Sequence, residues 1–202
     1  MKPIIFSTPM VQAILDGKKT QTRRVIKING YPITSPEESL ELTKEGLIYH
    51  SFCSMSGYYK LLCQPGDILW VRETWCTHED MADVFENQLR PGYYYKANEI
   101  GKEWVNDREI VKWRPSIFMP REAARIFLRV LNVRVERLHD ITEEDAKAEG
   151  CIDGKSKDVL KFDLTARDVF AKLWNSINAK RGYGWETNPW VWVYEFEKIN
   201  KE

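Results

Sequence analysis

Eight consecutive residues, Gly17-Lys18-Lys19-Thr20-Gln21-Thr22-Arg23-Arg24, place four cations and two hydroxyls side by side. Charges that must stay in water do not help a core, and exposed charge pairs contribute little to stability. The density therefore points to chemistry or binding. A Thr hydroxyl becomes a nucleophile when a neighbouring base takes its proton. A Lys can be that base if burial or nearby cations lower its pKa, and Lys18, Arg23 and Arg24 all flank Lys19. Strand alternation puts Thr20, Thr22 and Arg24 on one face. Lys19 must then stand in the turn ahead of the strand if it is to meet Thr22. Arg24 suits a phosphate or an oxyanion. The plainer reading of such a run is a solvated or phosphate-facing surface.

The elements around the run can be read from pattern. Residues 3–6 form a short strand. Thr8 reads as a helix N-cap with Pro9 at the first helical position. Met10, Val11, Ile14 and Leu15 make the apolar face, and Gly17 ends the helix. Residues 21–26 form the next strand, followed by the turn pairs Asn29-Gly30, Tyr31-Pro32 and Ser35-Pro36. Within 37–64 only hairpin-like fragments are legible, at 47–51 and 58–62, so this region reads as an insertion. Pro65-Gly66-Asp67 is a turn leading into the buried strand Ile68-Leu69-Trp70-Val71.

Residues 77–91 are acidic and irregular, 93–96 make a strand, and 101–120 are loop-rich. From 124 to 137 apolar residues alternate, with a register change at Leu131-Asn132 that suits a bulge. Thr142 caps a helix with acids in its first turn, which Gly150 closes. Thr165 opens a second helix, with Val169, Phe170, Leu173, Trp174 and Ile177 at helical spacing. Residues 190–199 end the pattern as a strand. Strands dominate and helices are few, which predicts an α+β, mainly β fold with a mixed sheet curled into a small barrel.

Lys plus Arg equals Asp plus Glu at thirty each, so no global field draws the chain to nucleic acid or membrane. The N-terminus is too short and too Pro-interrupted for a signal segment, and no apolar run reaches membrane-spanning length. Cys53, Cys63, Cys76 and Cys151 lack metal or disulfide-framework spacing, consistent with free thiols in a cytoplasmic protein. Cys76-Thr77-His78-Glu79-Asp80 holds ligand-type residues at no common metal spacing, so neither a metal nor a cofactor is expected.

The eight Trp offer base-stacking surfaces. Those of the last strand read as core, whereas Trp75, Tyr183 and Trp185 are the better stacking candidates. Arg121, Arg125, Arg129, Arg134 and Arg137 recur on or near one strand and could line a phosphate track.

The spacing Gly17-x-Lys19-x-x-Thr22-x-Arg24 after an N-terminal helix resembles the ASCH domain of the PUA-like superfamily. Pro65-Gly66-Asp67 before an apolar strand, a helix after a long strand and a terminal strand are similar too. The run from Gly66 to Trp75 resembles the longer members carried by bacteriophages and prophages. The resemblance covers the chain as a single domain over 1–202, apart from insertions at about 27–64 and 77–120. It implies a pseudo-β-barrel with flanking helices whose cleft takes RNA or a nucleoside. Some small bacterial members are amidohydrolases that remove the acyl group from N4-acetylcytidine with a Lys, a Thr and a Glu. Residue by residue these fall on Lys19, Thr22 and Glu149. From the residues themselves, Lys18, Arg23, Arg24, Trp75, Tyr183 and Trp185 are the candidate binding residues. Glu149 would stand at its helix's C-terminal end, where the macrodipole disfavours a carboxylate.

The expected function is binding of RNA or a modified nucleoside, with hydrolysis of an N4-acylated cytidine as its catalytic form. The rivals are a ribonuclease on the same fold and a non-catalytic phage interaction module.

Overall fold

A computed structural model describes residues 1–28, 30–35, 39–43, 47–52, 55–60, 63–80, 92–98, 111–154 and 163–200. The expectations for 81–91 and 99–110, and for Cys53, lie outside the described residues. The fold is α+β and mainly β, with mixed sheets and few helices. No sheet closes into a barrel among the described residues. Contacts divide the chain into two compact units: 1–17, 68–129 and 198–202 form the first, 18–67 and 130–197 the second. The segment expected as an insertion at 27–64 belongs to the second unit, and that at 77–120 to the first.

In the first unit, β1 (Lys2–Ile5) runs parallel to β8 (Ile68–Arg72), with Ile4 opposite Val71. β8 pairs antiparallel with the first residues of β11 (Phe127–Arg137), Trp70 facing Phe127. A second ladder joins β9 (Trp75–Thr77) to β10 (Tyr93–Tyr95). Helix α1 (Thr8–Leu15) buries Val11 and Ile14, its apolar positions three apart on one face. Its N-cap is Ser7 rather than Thr8, because Pro9 occupies the first turn and Ser7 keeps an extended backbone. Gly17 takes φ +71° just after the helix, which a side chain would strain. The core gathers Trp70, Trp75, Met119, Ala123, Ala124 and Phe127.

In the second unit, β2 (Gln21–Val25) pairs antiparallel with β12 (Trp190–Ile199), Thr22 opposite Tyr194 and Arg24 opposite Trp192. β11 neighbours β12 on its other side. Along β11, Leu131 and Asn132 are exposed in succession between buried Val130 and Val133, where the alternation was expected to break. β3 (Lys27–Ile28) and β4 (Tyr31–Pro32) form a small hairpin. β5 (Ser39–Leu42), β6 (Leu47–Phe52) and β7 (Met55–Lys60) form an antiparallel meander where the sequence showed only hairpin-like fragments.

Helices α2 (Glu143–Ala148) and α3 (Ala166–Asn178) begin as expected. Thr142 and Thr165 each accept from the backbone N–H three residues on, while Asp145 and Asp168 reach back in reciprocal capping boxes. Between them lies the second core, built on Leu138, Ile141, Phe170, Trp174, Val191 and Val193. Among the described residues no helix is long and apolar enough to cross a membrane.

Candidate functional site

Lys19 stands ahead of β2, where it forms an isolated antiparallel bridge with Glu149, the C-cap of α2. The neighbouring backbone fixes that seat. Thr20 N–H donates to Ala148 O at 2.8 Å, and Phe196 N–H donates to Thr20 O at 2.8 Å. The residues before β2 are thus tied to the end of a helix and to β12. Lys19 is only 2% exposed. Its ammonium has three donors, and three acceptors meet it: Gln21 O at 2.9 Å, Glu149 O at 2.8 Å and Glu149 Oε2 at 2.6 Å.

The second oxygen of Glu149 accepts from Arg23 Nη1 at 3.2 Å. Arg23 also donates to Glu136 Oε1 through Nε at 2.9 Å and Nη2 at 2.6 Å, and to Asp145 Oδ2 at 3.0 Å. Arg134 closes the cluster, donating to Glu136 at 3.0 Å, to Asp145 Oδ1 at 2.9 Å and to Glu195. Gln21 Nε2 donates to Asp145 at both its backbone O and Oδ1. Lys19, Gln21 and Arg23 are two residues apart in turn, so one face of the strand and its approach carries all three. A buried charge is tolerated only when paired and hydrogen-bonded, and this network supplies both.

Burial and neighbouring charges shift several of these groups. Burial pulls the Lys19 pKa below its usual value, with a smaller push from Arg24 in the same direction, and these outweigh the opposing pull of Glu149. Burial likewise lowers the Arg24 pKa, although Glu149 and Tyr194 oppose it. Burial raises Asp145, but the Gln21 hydrogen bond and the charges of Arg23 and Arg134 more than reverse this, leaving it below the usual carboxylate range. Burial pushes the Cys151 thiol, which feels both Glu149 and Lys19, up to about 11.

The structure thus brings Lys19, Arg23 and Glu149 together. Thr22 is buried on the other face of β2, which Arg24 shares by alternation. Lys18 is exposed. The run does not read as a solvated surface, because Lys19, Gln21, Thr22 and Arg23 are all buried. Arg23, expected among the binding residues, spends its guanidinium on carboxylates of its own chain.

The aromatic candidates differ in exposure. Trp75 is 4% exposed in the first unit's core, with the Arg114 guanidinium 5.0 Å from its ring centre. Tyr183 is 6% exposed, under Lys27 at 4.9 Å, and its carbonyl accepts from Trp174 Nε1. Trp185 packs on His139 at 4.6 Å and edge-on to Phe170. Apolar area drew Trp75 and Tyr183 inward, and half-buried Trp185 anchors the loop around Gly182. The arginine row is also engaged. Arg125 forks onto buried Glu73 at 2.8 and 2.9 Å, and Arg134 serves the network. Arg137 donates to the Thr34, Ser35 and Asn188 carbonyls and lies over Trp190.

The sequence does not single out Glu136, and it marks Asp145 only as a first-turn acid, Gln21 only as part of the run and Arg134 only as part of a phosphate track. The available signal was Arg134-x-Glu136, two opposite charges on one strand face, beside an Asp at the third position of a capping box. No family model matches the chain, and neither a curated protein nor a solved structure does.

Proposed function

We propose that this chain is an ASCH-type protein of the PUA-like superfamily that binds a modified cytidine, free or within RNA. In this reading the chain hydrolyses the amide at N4 of an acylated cytosine. The observation that carries the reading is the Lys19–Glu149 pair at 2.6 Å, buried, with the Lys19 pKa lowered by its surroundings. Buried, perturbed and closely paired ionisable groups are concentrated at catalytic sites.

The chemistry assigns each group a role. Glu149 accepts from Lys19 Nζ and holds it in place, while Arg23 holds the other carboxylate oxygen. Thr22 lies on the other face of β2, so in this reading water attacks the acyl carbon while the Lys19–Glu149 pair exchanges the proton. Water gives its oxygen to the acyl carbon and a proton to N4, the C–N bond breaks, and the cytosine amine and the acid are released. Arg24, whose charge is felt at Glu149, is the candidate to face the developing oxyanion.

The test is a panel of N4-acylated cytidines incubated with wild type, Lys19→Met and Glu149→Gln, read by mass spectrometry. Wild type should release cytidine and the acid, and both variants should be inactive while retaining a cooperative melt. Absence of turnover across the panel by wild type would overturn the catalytic reading. RNA cleavage by wild type would favour a ribonuclease, and RNA affinity falling steeply with salt without turnover would favour a binding module.

A further inference from the structure

The first unit carries a feature that the charge network does not use. A pocket of about 330 Å³ is lined by Met1, Ile68, Phe127 and Ile199, together with Arg121 and Glu122. Beside it in sequence, Ile117 and Phe118 are 56% and 71% exposed. Neighbouring large apolar side chains held in water usually mark a contact surface.

The segment is tied down locally. Residues Ser116–Phe118 form a single 3₁₀ turn after Pro115, and Pro120 follows. Phe118 N–H donates to Pro115 O at 3.0 Å and Met119 N–H to Ser116 O at 3.1 Å. Met119 is fully buried, its carbonyl accepts from Arg72 Nε at 3.1 Å, and its sulfur lies 3.2 Å from Glu73 N. A knob held this firmly loses little entropy when it docks.

We propose that this face of the first unit is a two-fold contact between copies of this chain, each inserting Phe118 into the other's pocket. Three observations select a second copy as occupant. The chain carries both knob and pocket within a few residues, as a self-complementary two-fold contact requires. Arg121 and Glu122 are adjacent and opposite in charge, so a two-fold sets each against its complement. The chain's formal net charge is zero, so two copies do not repel overall. Edge pairing is blunted, because β1 at the margin of its sheet presents Lys2 and Pro3. The contact thus runs through side chains.

The test is sedimentation velocity on the full chain across a concentration series, with thermal melts alongside. Wild type should show a concentration-dependent shift from monomer to dimer. Phe118→Asp should weaken the dimer at least tenfold without moving the melt, since the side chain is solvated in the monomer. Arg121→Glu and Glu122→Arg should each weaken it, and the double exchange should restore it. Glu122 also accepts from Tyr93 Oη at 3.1 Å, so melts of its variants separate that loss from dimer loss. A wild type that stays monomeric throughout, a dimer indifferent to Phe118→Asp, or a double exchange no better than the singles would each overturn the proposal.

Discussion

Lys19 and Glu149, 130 residues apart in sequence, meet at 2.6 Å with side chains 0% and 4% exposed. Arg23 holds the other carboxylate oxygen of Glu149 at 3.2 Å. One carboxylate thus sits between two buried cations, and each consequence below follows from that arrangement.

Breaking the pair should cost more than losing it whole. Lys19→Met leaves Glu149 with Arg23 alone, and Glu149→Gln leaves Lys19 and Arg23 short of an anion. Each single variant is expected to lose about 3 kcal/mol, the low end for a broken buried pair. The double variant should lose clearly less than their sum. Urea denaturation of the four proteins checks this, and additive losses would show that the two groups do not interact.

Arg23→Lys should be a severe change despite its conserved charge. A guanidinium serves Glu136, Asp145 and Glu149 at once, whereas an ammonium cannot span all three in that geometry. An expected loss of about 2 kcal/mol, measured by chemical denaturation, follows from stranding at least one buried carboxylate.

The two capping boxes give a matched control. Thr142→Ala and Thr165→Ala should each cost about 1 kcal/mol. Only Thr142→Ala frees Asp145, which Gln21, Arg23 and Arg134 all engage. It alone should lower turnover of an N4-acylated cytidine, compared at equal fraction folded.

Stability should depend on pH at both ends. Asp145 is held below its usual 3.8, so its contribution is present above that value and lost as pH falls through its folded pKa. Asp145→Asn should flatten this acid limb. Burial raises the Cys76 and Cys151 thiols from 9.0 to about 12 and about 11. The unfolded chain therefore loses those protons first, and their contribution fades as pH climbs from 9 towards 11–12. Thermal melts from pH 8 to 11 should show less loss for Cys76→Ala than for wild type. Lys19 works in the opposite direction, since its folded pKa lies below the ordinary 10.5. It adds stability as pH rises from its folded pKa towards that value.

Local signals in the sequence were decisive where geometry is local. The Thr142 and Thr165 caps, the Gly17 stop, the turn at Pro65-Gly66-Asp67 and the alternation from Phe127 to Arg137 depend on contacts within a few residues. The strands of 39–60 were only partly legible, because a meander with little alternation is specified by its pairings more than by its pattern.

The sequence by itself determined that cations and hydroxyls cluster after α1 and into β2, and that Gly150 closes a helix just beyond Glu149. Tertiary structure alone decided that Lys19 and Arg23 are buried and paired, and that Trp75 and Tyr183 face the core. Burial and ion pairing arise from residues brought together across more than a hundred positions, and strand alternation within β2 carries no record of which strand or helix will cover it.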